Sequence, residues 1–288
     1  MSLPEGVLLS QGSPLLGVLE DLAREARCVF FAGLPGTGKS LLIHQLAHLA
    51  HARGRGTHLL QWDVARPAFE ASHAGRRYPQ QDGITHPLIR IAAGRWARPA
   101  LSRWDAEAPA SALLIGETPF VGHRFIELAR LDDDAAERLL ASPATRFVIP
   151  VPSVALRGHL EAERARRARA PLHAREREDA PPDVLRGVWR ELAGIANTLG
   201  IGGGAKDGEY DPAIYRAFYE RLLRQRHVDA LTIDERVATQ GVSAYEFRIP
   251  TAELVPSDDE AAQFIVDAER AYADPAVLER AIAGWFEA

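Results

Sequence analysis

The stretch CVFFAGLPGTGKS, residues 28–40, decides how the rest of the chain is read. A short apolar run, Cys28 to Phe31, leads into Gly33-Leu34-Pro35-Gly36-Thr37-Gly38-Lys39-Ser40, and the periodic stretch LLIHQLAHLAHA follows at once. A strand, a glycine-rich turn matching G-x-x-x-x-G-K-[ST] and a helix in immediate succession form the setting in which this spacing binds phosphate. Gly33, Gly36 and Gly38 admit backbone conformations that a Cβ resists, so successive N–H groups can turn toward one set of anionic oxygens. A helix opening near Lys39 adds the positive end of its dipole at the same place. Lysine is rare here: Lys39 and Lys206 are the two lysines among 34 basic residues. Arginine abundance therefore carries little weight in this chain, whereas a lysine at the motif's fixed position carries a great deal.

Composition narrows the field around that motif. The 288 residues are 47% hydrophobic and 25% charged, the profile of a globular chain able to bury one large α/β core. Cys28 is the single cysteine, so no disulfide framework forms and a reducing compartment is expected. No apolar run approaches the roughly 18 residues of a membrane helix, and the opening MSLPEGVLLSQGSPLL lacks the basic start of a signal peptide. The expectation is a cytoplasmic protein with no membrane partner. A formal charge of −5 argues against bulk binding to nucleic acid.

Apolar runs at residues 28–32, 58–62, 111–116, 145–151 and around 228–234 alternate with helical patterns. This alternation predicts βαβ crossovers and a mostly parallel sheet of five strands, covered by helices on both faces. Residues 1–27 read as a helical lead-in, and 181–226 and 257–287 as helical packing around the core. Pro181-Pro182 and Gly202-Gly203-Gly204 are candidate joints, and SAYEFRIP, residues 243–250, alternates like an edge strand. His44, His48 and His51 share a helix face but lack the ligand set of a metal site, so they are read as packed or solvated. Asp132-Asp133-Asp134 suits a helix N-terminus.

On the motif at 33–40 and its strand–helix setting, the chain resembles the P-loop NTPases, and five strands with the loop on the first resemble the kinase branch. The resemblance implies a P-loop-type parallel five-stranded sheet sandwiched by helices, in one domain over 1–288. Within it, residues 67–110 would be an acceptor-binding insertion, 153–180 an Arg-rich lid, and 181–288 a helical extension completing the core. It also implies ATP and Mg²⁺ as ligands. Gly33, Gly36, Thr37, Gly38, Lys39, Ser40 and Leu41 would hold the nucleotide, with Lys39 on the β- and γ-phosphates and the Ser40 hydroxyl on the metal.

Further candidates lie at strand ends, where ligands sit in open α/β sheets. HLLQW runs into Asp63-Val64-Ala65-Arg66. Small-molecule P-loop kinases, such as adenylylsulfate and polynucleotide kinases, look similar there, which implies Asp63 as general base or acceptor anchor and Arg66 as an acceptor contact. A capping aspartate and a solvated arginine are the plain alternative. SALLIGE ends in Glu117, where the family places its Mg²⁺ carboxylate, usually an aspartate; the glutamate leaves open a metal-side role or that of base. His123 and Arg124 follow as candidate substrate contacts.

The segment from Arg157 to Arg177 holds seven arginines and three glutamates. A lid at this point in related kinases delivers arginines to the transferring phosphoryl group, and Arg157 and Arg164 are the choices here. An exposed helix laced with i,i+4 ion pairs is the plain reading. Between the second and third strands, Asp82, His86, Arg90, Arg95, Trp96 and Trp104 belong either to an acceptor pocket or, for the tryptophans, to helix packing.

The leading expectation is an ATP- and Mg²⁺-dependent phosphotransferase that moves the γ-phosphoryl group to a hydroxyl or phosphate of a small-molecule acceptor. A kinase for a polynucleotide or nucleotide-sugar acceptor is one alternative. Another is an NTPase whose hydrolysis drives a conformational or assembly switch; a binding module without catalysis is a third. No N/T-K-x-D base-reading motif marks a translational-type GTPase.

Overall fold

Successive residues of the first strand face opposite sides and meet different cores. Cys28, Phe30 and Ala32 join one buried cluster, and Val29 and Phe31 join the other. Burial on both sides is the condition of a central strand in a parallel sheet. The computed structural model describes residues 3–287 except 82, 178, 203–207, 240, 244, 245, 247 and 248. In chain order the elements are α1 (Pro14–Glu25), β1 (Cys28–Ala32), α2 (Lys39–His51), β2 (Thr57–Gln61), α3 (Trp62–Ala71), α4 (Pro87–Glu107), β3 (Leu113–Thr118) and α5 (Glu137–Leu140). Then follow β4 (Thr145–Pro152), α6 (Val154–Arg169), α7 (Pro182–Thr198), α8 (Pro212–Leu222), β5 (Val228–Ile233), β6 (Ala252–Glu253), α9 (Asp258–Ala271) and α10 (Pro275–Ala283).

The fold is α/β, with an open sheet in the order β5-β4-β1-β3-β2-β6, all pairs parallel. Six strands replace the expected five. The extra one, β6, pairs His58 with Ala252 and Leu59 with Glu253 at the β2 edge. Two residues leave too little periodicity to read, and they lie just after the alternating stretch 243–250. Of that stretch, 244, 245, 247 and 248 lie outside the described residues, as do Asp82, Gly203, Gly204 and Lys206.

Strand order fixes where a ligand can sit. From β1 the chain crosses one way to β2, whereas from β3 it crosses the other way to β4. Right-handed crossovers therefore place α2 on one face and the β3–β4 connection on the opposite face. The two cores agree: α1 and α2 pack on Val29, Phe31, Leu113 and Ile115. Helices α3, α4, α8 and α9 pack on Phe30, Ala32, Leu114 and Phe147. The carboxyl ends of β1 and β3 thus flank the switch point, the ordinary ligand crevice of such sheets.

Helix α4 decides the alternatives left open for the tryptophans. Trp96 is 1% exposed and meets the Phe69 ring edge-on at 5.9 Å. The Arg27 guanidinium carbon lies over Trp104, 4.1 Å from the ring centroid. Both are packing residues of a long core helix. Behind the β3–β4 connection, Arg98 of α4 donates to both Asp134 oxygens at 2.7 and 2.8 Å and to Glu137 at 2.8 Å. Asp134 also accepts from the amides of Ala136 and Glu137, as expected of an acid opening a helix.

Candidate functional site

Residues 33–38 turn from β1 into α2 through left-handed glycines, with φ of +146° at Gly33, +73° at Gly36 and +85° at Gly38. At Gly33 a Cβ would lie 2.1 Å from the Tyr215 hydroxyl, so the glycine serves both the backbone angle and a close approach. Gly38 opens α2 without a side-chain cap. Among the described residues nothing accepts a hydrogen bond from the amides of Gly36, Thr37, Gly38, Lys39, Ser40 or Leu41. These N–H groups and the helix's positive end share one small region, with the Ser40 hydroxyl on the first turn.

Lys39 runs back under this loop. Its Nζ donates to the Leu34 carbonyl at 2.7 Å and lies 3.3 Å from Glu117 Oε1. The two side chains are 3% and 14% exposed. Burial lowers the Lys39 ammonium below its ordinary range and raises the Glu117 carboxyl above its own, each partner opposing the other's shift. The Asp63 carboxylate adds to the rise at Glu117 and supports the ammonium at Lys39. Glu117 is the penultimate residue of β3, and Gly116 before it is fixed by packing: a Cβ there would lie 2.3 Å from the Phe30 ring.

Asp63 does not follow β2 in a loop, because α3 starts at Trp62 and leaves Asp63 exposed in its first turn. Its charge is felt by Lys39, Glu117 and Arg124, which brings three of the expected residues around it. Arg66, one turn on, lies 3.6 Å from Glu70, and its buried Nε has no acceptor. Arg124 is half-buried, donates to the Val121 carbonyl at 2.9 Å, and is lowered below the usual guanidinium range mainly by burial. His123 is not brought with them. Its ring nitrogens lie 2.9 Å from Glu127 Oε1 and 3.2 Å from the Ala281 carbonyl.

Arg157 reaches the loop from α6. It is 2% exposed, donates to the Pro35 and Gly36 carbonyls at 3.1 and 3.3 Å, and pairs with Glu161 at 2.9 Å. Its Nη2 is buried without an acceptor. Arg164 pairs with Asp179 at 2.9 Å, and its charge is felt at Lys39. The plain reading of this helix as a solvated ladder therefore fails at Arg157 and holds at Arg166, which is exposed and pairs with Glu163.

Tyr215 is a site residue that the sequence did not single out, whereas Arg90, a candidate for the acceptor pocket, is buried on α4. Tyr215 is fully buried, and its hydroxyl accepts from the Leu34 amide at 3.3 Å. No local pattern marks Tyr215, because it reaches the loop from α8, distant in sequence. The β3–α5 loop also holds Phe120, His123 and Phe125 at φ of 60°, 67° and 61°, a run of non-glycine left-handed residues of the kind that clusters at functional sites.

The donor set fits a polyphosphate with a hard divalent cation. Unbonded loop amides and a lysine suit the anion, while the Ser40 hydroxyl and the Glu117 carboxylate are oxygen ligands of the type Mg²⁺ takes. No family model, curated protein or solved structure matches this chain.

Proposed function

We propose that the protein is a P-loop-type, ATP- and Mg²⁺-dependent phosphotransferase acting on a small-molecule acceptor. The observation that carries this reading is the buried Lys39–Glu117 pair, 3.3 Å apart, beside the unbonded amides of the loop and the first turn of α2. Bound Mg·ATP supplies the phosphoryl group. The loop amides and Lys39 bind its phosphates, and Ser40 and Glu117 hold the metal. Arg157 and Arg164 supply positive charge at the loop.

Asp63, exposed at the start of α3 and acting on both Glu117 and Arg124, is the acceptor-side carboxylate that takes the hydroxyl proton. Arg66 and Arg124 orient the acceptor. The test is ADP release from Mg·ATP, alone and with pooled nucleosides, sugars, nucleotides and aminoglycoside-like alcohols, against a Lys39→Ala blank. Stimulation by one pool is expected. Strong acceptor-independent hydrolysis, unmoved by any pool, would transfer the assignment to an NTPase that drives a conformational switch. Turnover unchanged in Lys39→Ala would remove the nucleotide-binding assignment itself.

A further inference from the structure

Three guanidinium groups lie near one another beside Asp63, and among the described residues only Arg66 has a carboxylate within 4.0 Å, Glu70 at 3.6 Å. Arg90 comes from α4, Arg66 from α3 and Arg124 from the loop after β3. Arg90 is 9% exposed, and its one hydrogen bond among the described residues runs from Nη1 to the Gly122 carbonyl at 2.8 Å. The Nε atoms of both Arg90 and Arg66 are buried without an acceptor. Among the described residues no carboxylate comes within 4.0 Å of Arg90 or Arg124. Both groups approach Gly122: a Cβ there would lie 3.1 Å from Arg90 Nη1 and 3.7 Å from Arg124 Nη1.

The carboxylates felt by this group are Glu70, 3.6 Å from Arg66, Glu191, acting on both Arg90 and Arg124, and Asp63, acting on Arg124. Arg66 and Arg124 repel each other, as do Arg124 and Arg90. Burial with the Arg124 charge nearby pushes Arg90 down to about 10. A buried Arg90 beside a half-buried Arg124 of like charge, with orphaned Nε groups on Arg90 and Arg66, is costly unless an anion completes the set. The loop's own needs do not account for it, since the loop is approached by Lys39, Arg157 and Arg164 from other elements.

We propose that Arg66, Arg90 and Arg124 form an anion subsite, and that the acceptor is a small molecule already carrying a tetrahedral oxyanion, a phosphate or sulfate ester. Planar forks with several N–H donors match such a group better than a neutral sugar or alcohol. The assignment of the ligand as acceptor rests on the phosphotransferase reading; the anion subsite itself does not.

The test uses full-length Lys39→Ala protein, in which the glycine loop lacks its lysine. Its thermal-unfolding midpoint is followed against sodium sulfate, sodium phosphate and glycerol 3-phosphate, with sodium chloride at matched ionic strength as control. A saturable rise is expected with each oxyanion, and adding Arg124→Gln or Arg66→Gln should weaken the apparent affinity at least tenfold. Because Arg90 is buried, the two more accessible arginines carry the comparison. No saturable rise in Lys39→Ala, or an affinity unmoved by both arginine variants, overturns the subsite. Protection by the free ions but not by glycerol 3-phosphate overturns the acceptor assignment. Binding of fluorescent Mg·ADP to wild-type and Lys39→Ala protein is read separately. If the two bind equally, the nucleotide reading falls and the sulfate titration still judges the arginines.

Discussion

Replacing Glu117 by glutamine removes one charge from a pair whose other member has nowhere to go. At 3.3 Å and an effective dielectric of ~20, the Coulomb attraction between Lys39 and Glu117 is about 5 kcal/mol. Part survives the substitution, because Lys39 keeps the Leu34 carbonyl at 2.7 Å and the Glu117 position is 14% exposed to water. The expected net loss is about 3 kcal/mol, the low end for breaking a buried pair. Lys39→Met should cost a similar amount for the converse reason. The double variant Lys39→Met/Glu117→Gln should cost less than the two singles added, by about 2 kcal/mol.

The two single variants should also answer oppositely to pH. Without lysine, Glu117 sits buried near Asp63 and its carboxyl rises further above the ordinary value of 4.5. The folded protein then holds a proton that the unfolded chain releases, so stability falls as pH rises from 4.5 toward the folded value. Without glutamate, the Lys39 ammonium drops further below 10.5. Over the window between that lowered value and 10.5 the unfolded chain binds more protons, so stability rises with pH. Urea unfolding at about pH 5.5, 7 and 9 measures both slopes. Parallel slopes, or single-variant costs that add within about 0.5 kcal/mol, would refute the coupled pair.

Asp63→Asn should abolish transfer while sparing Mg·ATP binding, measured by single-turnover phosphorylation beside nucleotide titration; unchanged transfer removes its acceptor-side role. Arg157→Ala and Arg164→Ala should lower kcat on the order of 10²-fold each, with ATP affinity changed much less, and wild-type turnover in both would sink the lid assignment. Gly116→Ala forces a methyl to within 2.3 Å of the Phe30 ring, which is fully buried and stacked on Phe147 at 4.9 Å. A loss of about 2 kcal/mol is expected in chemical denaturation, and an unmoved midpoint would contradict the packing account of this glycine.

What the sequence determined by itself is local. Gly33, Gly36 and Gly38 are legible because positive φ is a demand on single residues, and all three do adopt it. The parallel α/β class was legible because strands and helices differ in period, and five of the six strands fall where apolar runs predict them. Tertiary structure decided the rest. Strand order sets β1 beside β3 and so brings Lys39 onto Glu117 across 78 residues of chain. The same long-range packing lays Arg157 on the Gly36 carbonyl and the Tyr215 hydroxyl on the Leu34 amide, and it turns His123 toward Glu127. Arg66, Arg90 and Arg124 are separate candidates in the sequence, and the packing of α3, α4 and the loop after β3 brings Arg124 close enough to feel the charge of the other two. A motif constrains the backbone near it, whereas a meeting of distant side chains depends on which surfaces the cores join, and no short stretch of residues encodes that.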